Sequence, residues 1–171
     1  MGIDTLKTIY YALVNSYLRY GLITWGNAAT AVLQPLNVLN NRTLRIITFA
    51  PLGRLDTSII YEHLKILTIE KLFFFEASKF IYKSKNNILP LQTIATHFGR
   101  NTQSIHRYST RNRPSNNLSI VPLNLLSCHA RKSIQLKADE LWSDIPTDIQ
   151  HAESFNIFKY LLKNHLIVSN N

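Results

Sequence analysis

Asp139 and Glu140 are the chain's only adjacent carboxylates, and two acids sharing a metal could drive nucleotidyl transfer. Neighbours on a helix point about 100° apart, so this pair is poorly placed to clamp metals jointly. The imidazoles offer no better constellation. His106, His129 and His151 lack ligand spacing with one another or with acids one turn on, and His63, His97 and His165 stand alone. Cys128 and His129 are sequence neighbours, which is thin ground for a thiolate pair; a small buried cysteine accounts for Cys128 as well. The sequence contains no phosphate-binding glycine-rich loop, no nucleophile elbow and no metalloprotease helix. These residues predict a non-catalytic chain that works by binding.

The charge pattern indicates what it binds. The chain carries 19 Lys+Arg against 10 Asp+Glu, a net +9, which makes a polyanion the first partner to consider. From Ala77 to Ala138 there are ten basic residues and no acidic one. A solvated surface normally mixes signs, so a long stretch without a carboxylate favours phosphate contact. Within it, Gly99 to Asn117 reads as a loop rich in Ser, Thr and Asn, in which Arg107, Tyr108, Arg111 and Arg113 interleave an aromatic with guanidinium groups. That is the composition of a phosphate-and-base contact. A flexible surface linker is the alternative.

The elements that would position these groups are helical. Asp4 can cap a first helix in which Leu6, Ile9, Tyr10, Leu13, Val14, Tyr17 and Leu18 follow helical spacing. A second runs from about Gln34 to Phe49, with Pro35 in its first turn and Pro51 barring its continuation. Leu36, Leu39, Thr43, Ile46 and Ile47 predict its core side; Asn37, Asn41, Arg42 and Arg45 predict a basic, amide-rich opposite side. Asp56, Thr57 or Ser58 can cap a short helix through Leu64. Thr68 can cap a long one with Ile69, Leu72, Phe73, Ala77, Phe80 and Ile81 inward, stopping at Asn86 and Asn87. Lys79, Lys83 and Lys85 load its last turns, where the helix dipole also favours positive charge. Leu118 to Pro122 reads as a short strand, Cys128 to Trp142 as a helix broken by Pro146, and Ser154 onward as a last helix with Phe155, Phe158, Leu161, Leu162, Leu166 and Ile167 in a stripe. Together these predict an all-α fold of five or six helices with one basic loop.

Composition sets the outer bounds. With 46% hydrophobic residues and 11% aromatics the chain belongs with globular domains. Its single cysteine, Cys128, excludes an intrachain disulfide and a Cys-rich zinc site and suits a reducing compartment. Neither a signal-peptide pattern nor an 18-residue apolar run occurs, so an intracellular protein, in cytoplasm or nucleus, with no membrane partner is expected. The chain enters a strongly periodic helix within five residues of Met1, from which a larger fold upstream is expected.

Several short motifs then fall in order. Tyr17-Leu18-Arg19-Tyr20-Gly21-Leu22-Ile23-Thr24-Trp25-Gly26-Asn27 is followed by Leu36-Asn37-Val38-Leu39-Asn40-Asn41-Arg42-Thr43-Leu44-Arg45-Ile46-Ile47, and then by Leu64-Lys65-Ile66-Leu67. His106 to Arg111, Leu141-Trp142-Ser143-Asp144-Ile145-Pro146 and Ser154-Phe155-Asn156-Ile157-Phe158-Lys159 complete the series. This set resembles the region after the polymerase palm in reverse transcriptases of non-LTR (LINE-type, jockey-like) retrotransposons. The resemblance covers nearly the whole chain; Asn40 departs from it, standing where the family commonly shows Gln.

What the resemblance implies is a thumb-like helical region over 1–98, a basic loop and linker over 99–125 and a C-terminal helical extension over 126–171. It implies a helical grip on template and primer, with RNA, an RNA–DNA hybrid duplex or DNA as partner, and the palm domain as a further one. The family's magnesium-binding aspartates lie upstream of this region, so no cofactor is expected within the chain. On this reading Arg42, Arg45, Lys79, Lys83 and Lys85 line a duplex groove, Arg107, Arg111 and Arg113 contact phosphates, and Tyr108 stacks on a base or sugar. Trp25 and Trp142, set among apolar neighbours, are assigned to packing. A helical protein-interaction module, or an inert remnant of a mobile element, is the alternative.

Overall fold

A computed structural model describes residues 2–50, 56–86, 88–89 and 134–168. Among them the regular structure is entirely helical, as the apolar periodicity predicts. In order, α1 is Ile3–Ile9, a π-helical turn follows at Tyr10–Asn15, and α2 is Ser16–Arg19, α3 Leu22–Trp25, α4 Thr30–Thr48, α5 Thr57–Leu64 and α6 Ile69–Lys85. The last three are α7 Ile134–Ser143, α8 Thr147–Gln150 and α9 Phe155–Val168. The chain forms two compact units, one of Met1–Glu76 with Lys159–Asn171 and one of Ala77–Phe158. The short strand expected at Leu118 to Pro122 lies outside the described residues.

Local sequence signals set several helix ends. Asp56 is the N-cap of α5, its side chain accepting from the Ser58 amide at 3.3 Å. Hydrogen bonds from Ser58 and, to a smaller extent, the Arg45 charge hold the Asp56 carboxyl below the usual carboxylate range. Thr68 Oγ1 accepts from the Lys71 amide at 3.4 Å at the start of α6, and Ser154 Oγ from the Ile157 amide at 3.3 Å before α9. After Lys85 the Asn86 amide group turns back to donate to the Tyr82 carbonyl at 2.9 Å. Asp4 is not the first cap. Gly2 holds that position, and Asp4 sits in the first turn, where its charge faces the positive end of the helix.

The first helical stretch does not keep a 3.6-residue period. A π turn carries an extra residue per turn, so the buried face steps from Tyr10 to Asn15 and then to Leu18 and Leu22. The Ser16 hydroxyl donates to the carbonyls of Ala12 and Leu13, at 2.7 and 2.8 Å, against the carbonyl ends this turn displaces. The shift expels residues that the sequence pattern places inside: Leu13 is 60% exposed and Tyr17 82%. Gly21 then takes a left-handed φ of 62°, and the α3 helix ends on Gly26. Gly26 has no room for a side chain, since a Cβ there would lie 2.6 Å from both the Leu22 carbonyl oxygen and the Phe73 ring.

Helix α4 begins four residues earlier than the sequence suggests, which places Pro35 inside it instead of in its first turn. Pro35 is exposed and offers no N–H to the Ala31 carbonyl. The helix is also rotated from the expected orientation: Leu33, Asn40, Leu44 and Ile47 are buried, while Leu39 and Ile46 face solvent. The cause is a hydrogen-bond relay. Tyr10 Oη donates to Asn40 Oδ1 at 3.0 Å, Asn40 Nδ2 donates to Tyr61 Oη at 2.9 Å, and Tyr61 Oη donates to Asn41 Oδ1 at 2.8 Å. The amides draw their side of the helix inward, onto a core of Leu44, Ile47, Ile60, Leu64 and Ile66. Burial pushes the Tyr10 and Tyr61 phenols above their ordinary ionisation range.

In the second unit the core is aromatic. Phe158 is fully buried, stacked on Tyr82 at 4.3 Å between ring centroids and lying 6.1 Å from Trp142, nearly parallel to both. Tyr82 Oη donates to the Ala152 carbonyl at 2.8 Å, so its polar end is satisfied. Ile81 and Ala138 pack with Phe80, Leu141 and Trp142. Trp142 therefore packs, as its apolar neighbours suggest, and Trp25 is half-buried with its indole N–H donating to the Tyr20 carbonyl at 2.9 Å.

Candidate nucleic-acid interface

The cations proposed as phosphate contacts fall in both units. Arg42 and Arg45 are three residues apart on α4, close enough to share a helix surface. Arg42 is exposed and Arg45 half-buried. Arg42 is not part of a polar face, since it lies between exposed Leu39 and Ile46, with Val38 and Phe49 continuing the same strip. Of the amides expected beside it, Asn41 is drawn toward Tyr61, whose hydroxyl donates to Asn41 Oδ1 at 2.8 Å.

Lys79, Lys83 and Lys85 lie on the second half of α6, all half-buried. A four-residue step places Lys79 and Lys83 on one side, and Lys85 is turned well away from them. The ammonium of Lys83 sits 4.5 Å from the centre of the Phe155 ring, and that of Lys85 sits 4.4 Å from the Trp142 ring. Cation–π contacts of this kind hold long side chains in place. Arg107, Tyr108, Arg111 and Arg113 lie outside the described residues.

Among the described residues no group of three or more His, Cys, Asp or Glu could hold a metal ion. Nor is any described helix long and apolar enough to cross a membrane. Residues that the sequence did not single out gather elsewhere, in the first unit. Arg19 forms an ion pair with Glu76, with Arg19 Nε donating to Glu76 Oε1 at 2.7 Å. Lys163 approaches the Tyr11 ring, and the buried Asn15 amide sits near both. Only the π turn brings Asn15 inward, and apolar periodicity carries no signal for it. No protein-family model matches the chain, and comparison with the curated proteins and with the solved structures finds no match.

Proposed function

We propose that the chain is a helical nucleic-acid grip, the part that follows the palm in a non-LTR retrotransposon reverse transcriptase, and that it holds template and primer without carrying out polymerisation. The observation that carries this reading is the concentration of ten basic and no acidic residues between Ala77 and Ala138. In support, Lys83 and Lys85, early in that stretch, are cations braced on aromatic rings, and the ordered motifs span nearly the whole chain. Arg42 and Arg45, with Lys79, Lys83 and Lys85, would contact the duplex backbone, and Arg107, Arg111 and Arg113 would add phosphate contacts around Tyr108. Such contacts position a duplex and do not read its sequence.

Binding of a labelled RNA–DNA hybrid by the full chain across a salt series tests this. With about four to six neutralised phosphates, affinity should fall roughly 10²- to 10³-fold between about 50 and 200 mM salt. Replacing Arg107, Arg111 and Arg113 together by Ala should weaken binding and flatten that dependence. Absence of binding at low salt by a folded chain would sink the reading.

A second reading, a helical protein-interaction module, is favoured by one observation. Pro35, Leu39, Arg42 and Ile46 follow the 4-3-4 spacing of a coiled-coil seam on the exposed side of α4, beside an open groove of about 480 Å³ lined by Ala31, Gln34, Pro35, Val38 and Leu39. A second copy laid antiparallel would set Arg42 against Arg42. The complementary occupant is an amphipathic helix with a carboxylate opposite that arginine. A designed helical peptide with Leu on the seam and a central Glu should bind. Arg42→Glu should abolish that binding, and changing the peptide's Glu to Lys should restore it; indifference to the charge swap would reject this partner.

A further inference from the structure

A cavity of about 60 Å³ lies in the first unit, with Asn15, Arg19 and Lys163 in its wall. Asn15 is 7% exposed, and its Oδ1 has no hydrogen-bond partner. A buried acceptor without a donor is costly, and native structures keep few of them. Its position is also produced by an irregularity. In an unbroken α-helix the residue five places after Tyr10 points about 140° away from it, and only the π turn at Tyr10–Asn15 brings both inward. Such turns occur frequently at functional sites.

The polar groups around this space restrict what it can hold. Asn15 Oδ1 only accepts, so a ligand must bring it an N–H or an O–H. The Lys163 ammonium only donates and has no carboxylate partner among the described residues, so it calls for an acceptor. Arg19, by contrast, is held by Glu76. A carboxylate does not fit, because its oxygens would face Oδ1 lone pair to lone pair. An ammonium does not fit either: it would add a like charge beside Lys163, whose proton is already disfavoured by burial and by the charges of Lys7 and Arg19. What remains is a neutral group carrying both a donor and an acceptor. Much of the other wall, including Ile66, Leu72 and Phe75, is apolar and suits an alkyl chain.

We propose that this cavity binds a primary carboxamide on a short alkyl chain, its N–H donating to Asn15 Oδ1, its carbonyl oxygen accepting from the Lys163 ammonium and its alkyl end lying on the apolar wall. An amide divides the two bonds between two atoms, whereas a hydroxyl must make both through one oxygen. Water offers the same bonds as a hydroxyl but leaves the apolar wall hydrated. About 60 Å³ suits a group of acetamide to propionamide size. The inference is independent of the nucleic-acid reading and uses none of its residues.

Titration of the full chain with propionamide at constant ionic strength, followed by the backbone amide resonances of the π turn, tests it. A saturable shift in roughly the millimolar range is expected, weakened by about tenfold or more in Lys163→Met and in Asn15→Leu, both checked for native circular dichroism. N,N-dimethylpropionamide keeps the carbonyl but has no N–H for Asn15, and propionate and propylammonium carry the two charges the wall disfavours; each should bind about tenfold more weakly or worse. A glutamine side chain carries the same chemistry, and a capped Ala-Gln-Ala peptide separates the sources. Competition with propionamide would assign the site to a glutamine of another protein, and binding of the free amide alone would assign it to a small amide. No saturable shift, equal affinity for the dimethyl amide, propionate or 1-propanol, or unchanged affinity in a folded Lys163→Met protein overturns the proposal.

Discussion

Replacing Phe158 with Ala is expected to destabilise the second unit by about 3–5 kcal/mol. The ring is fully buried and lies against both Tyr82 and Trp142, so its loss removes the apolar contact of a large side chain and leaves a void that two rigid rings cannot fill. The same void would loosen Trp142 and with it the ring under Lys85. Denaturant unfolding followed by tryptophan fluorescence would show the midpoint shift. Tyr160→Ala, two residues on and 67% exposed, is the control and should change stability by no more than about 0.5 kcal/mol. A Phe158→Ala protein that unfolds within about 1 kcal/mol of the parent would mean that this ring is not the centre of its core.

The second expected result concerns the relay through Asn40. Asn40→Leu removes the acceptor of the Tyr10 hydroxyl and one partner of Tyr61, leaving a buried phenol unsatisfied at a cost of about 1–3 kcal/mol. Tyr61 still donates to Asn41, so the loss should centre on Tyr10. Adding Tyr10→Phe removes the orphaned hydroxyl and should recover part of the stability, giving a coupling of about 1 kcal/mol between the two positions. Strict additivity in that cycle would show that the relay contributes nothing cooperative.

The same tyrosines give stability a dependence on pH. Their pKa values are raised in the folded state, so both states are protonated below about pH 10 and the contribution is fully present there. Above that pH the unfolded chain releases protons that the buried phenols keep, and stability should fall as pH rises through the raised values.

Much of the fold was legible from local chemistry. Asp56, Thr68 and Ser154 cap the helices they precede because a side-chain oxygen can satisfy an orphaned amide a few residues away, whatever the rest of the chain does. The buried stripe of α6 was legible in part: Ile69, Leu72, Phe73, Ala77 and Ile81 are inward as their spacing predicts, and Phe75 and Tyr82 on the other side of the helix are buried as well. Of the candidate site, the positive charge on α4 and α6 was readable as charge; the aromatic rings that brace Lys83 and Lys85 come from residues far along the chain.

The amino-acid sequence was enough to establish the helical character of the described residues, the ends of several helices and the unequal distribution of charge, because capping, periodicity and composition act within a few residues. Tertiary structure decided which side of α4 is buried, where the π turn falls and that Asn15 and Lys163 share a cavity. Helix α4 carries apolar residues on two sides, and local preference cannot choose between them. Tyr10 and Tyr61 make the choice by supplying hydrogen-bond partners that Asn40 and Asn41 find only when the chain has folded.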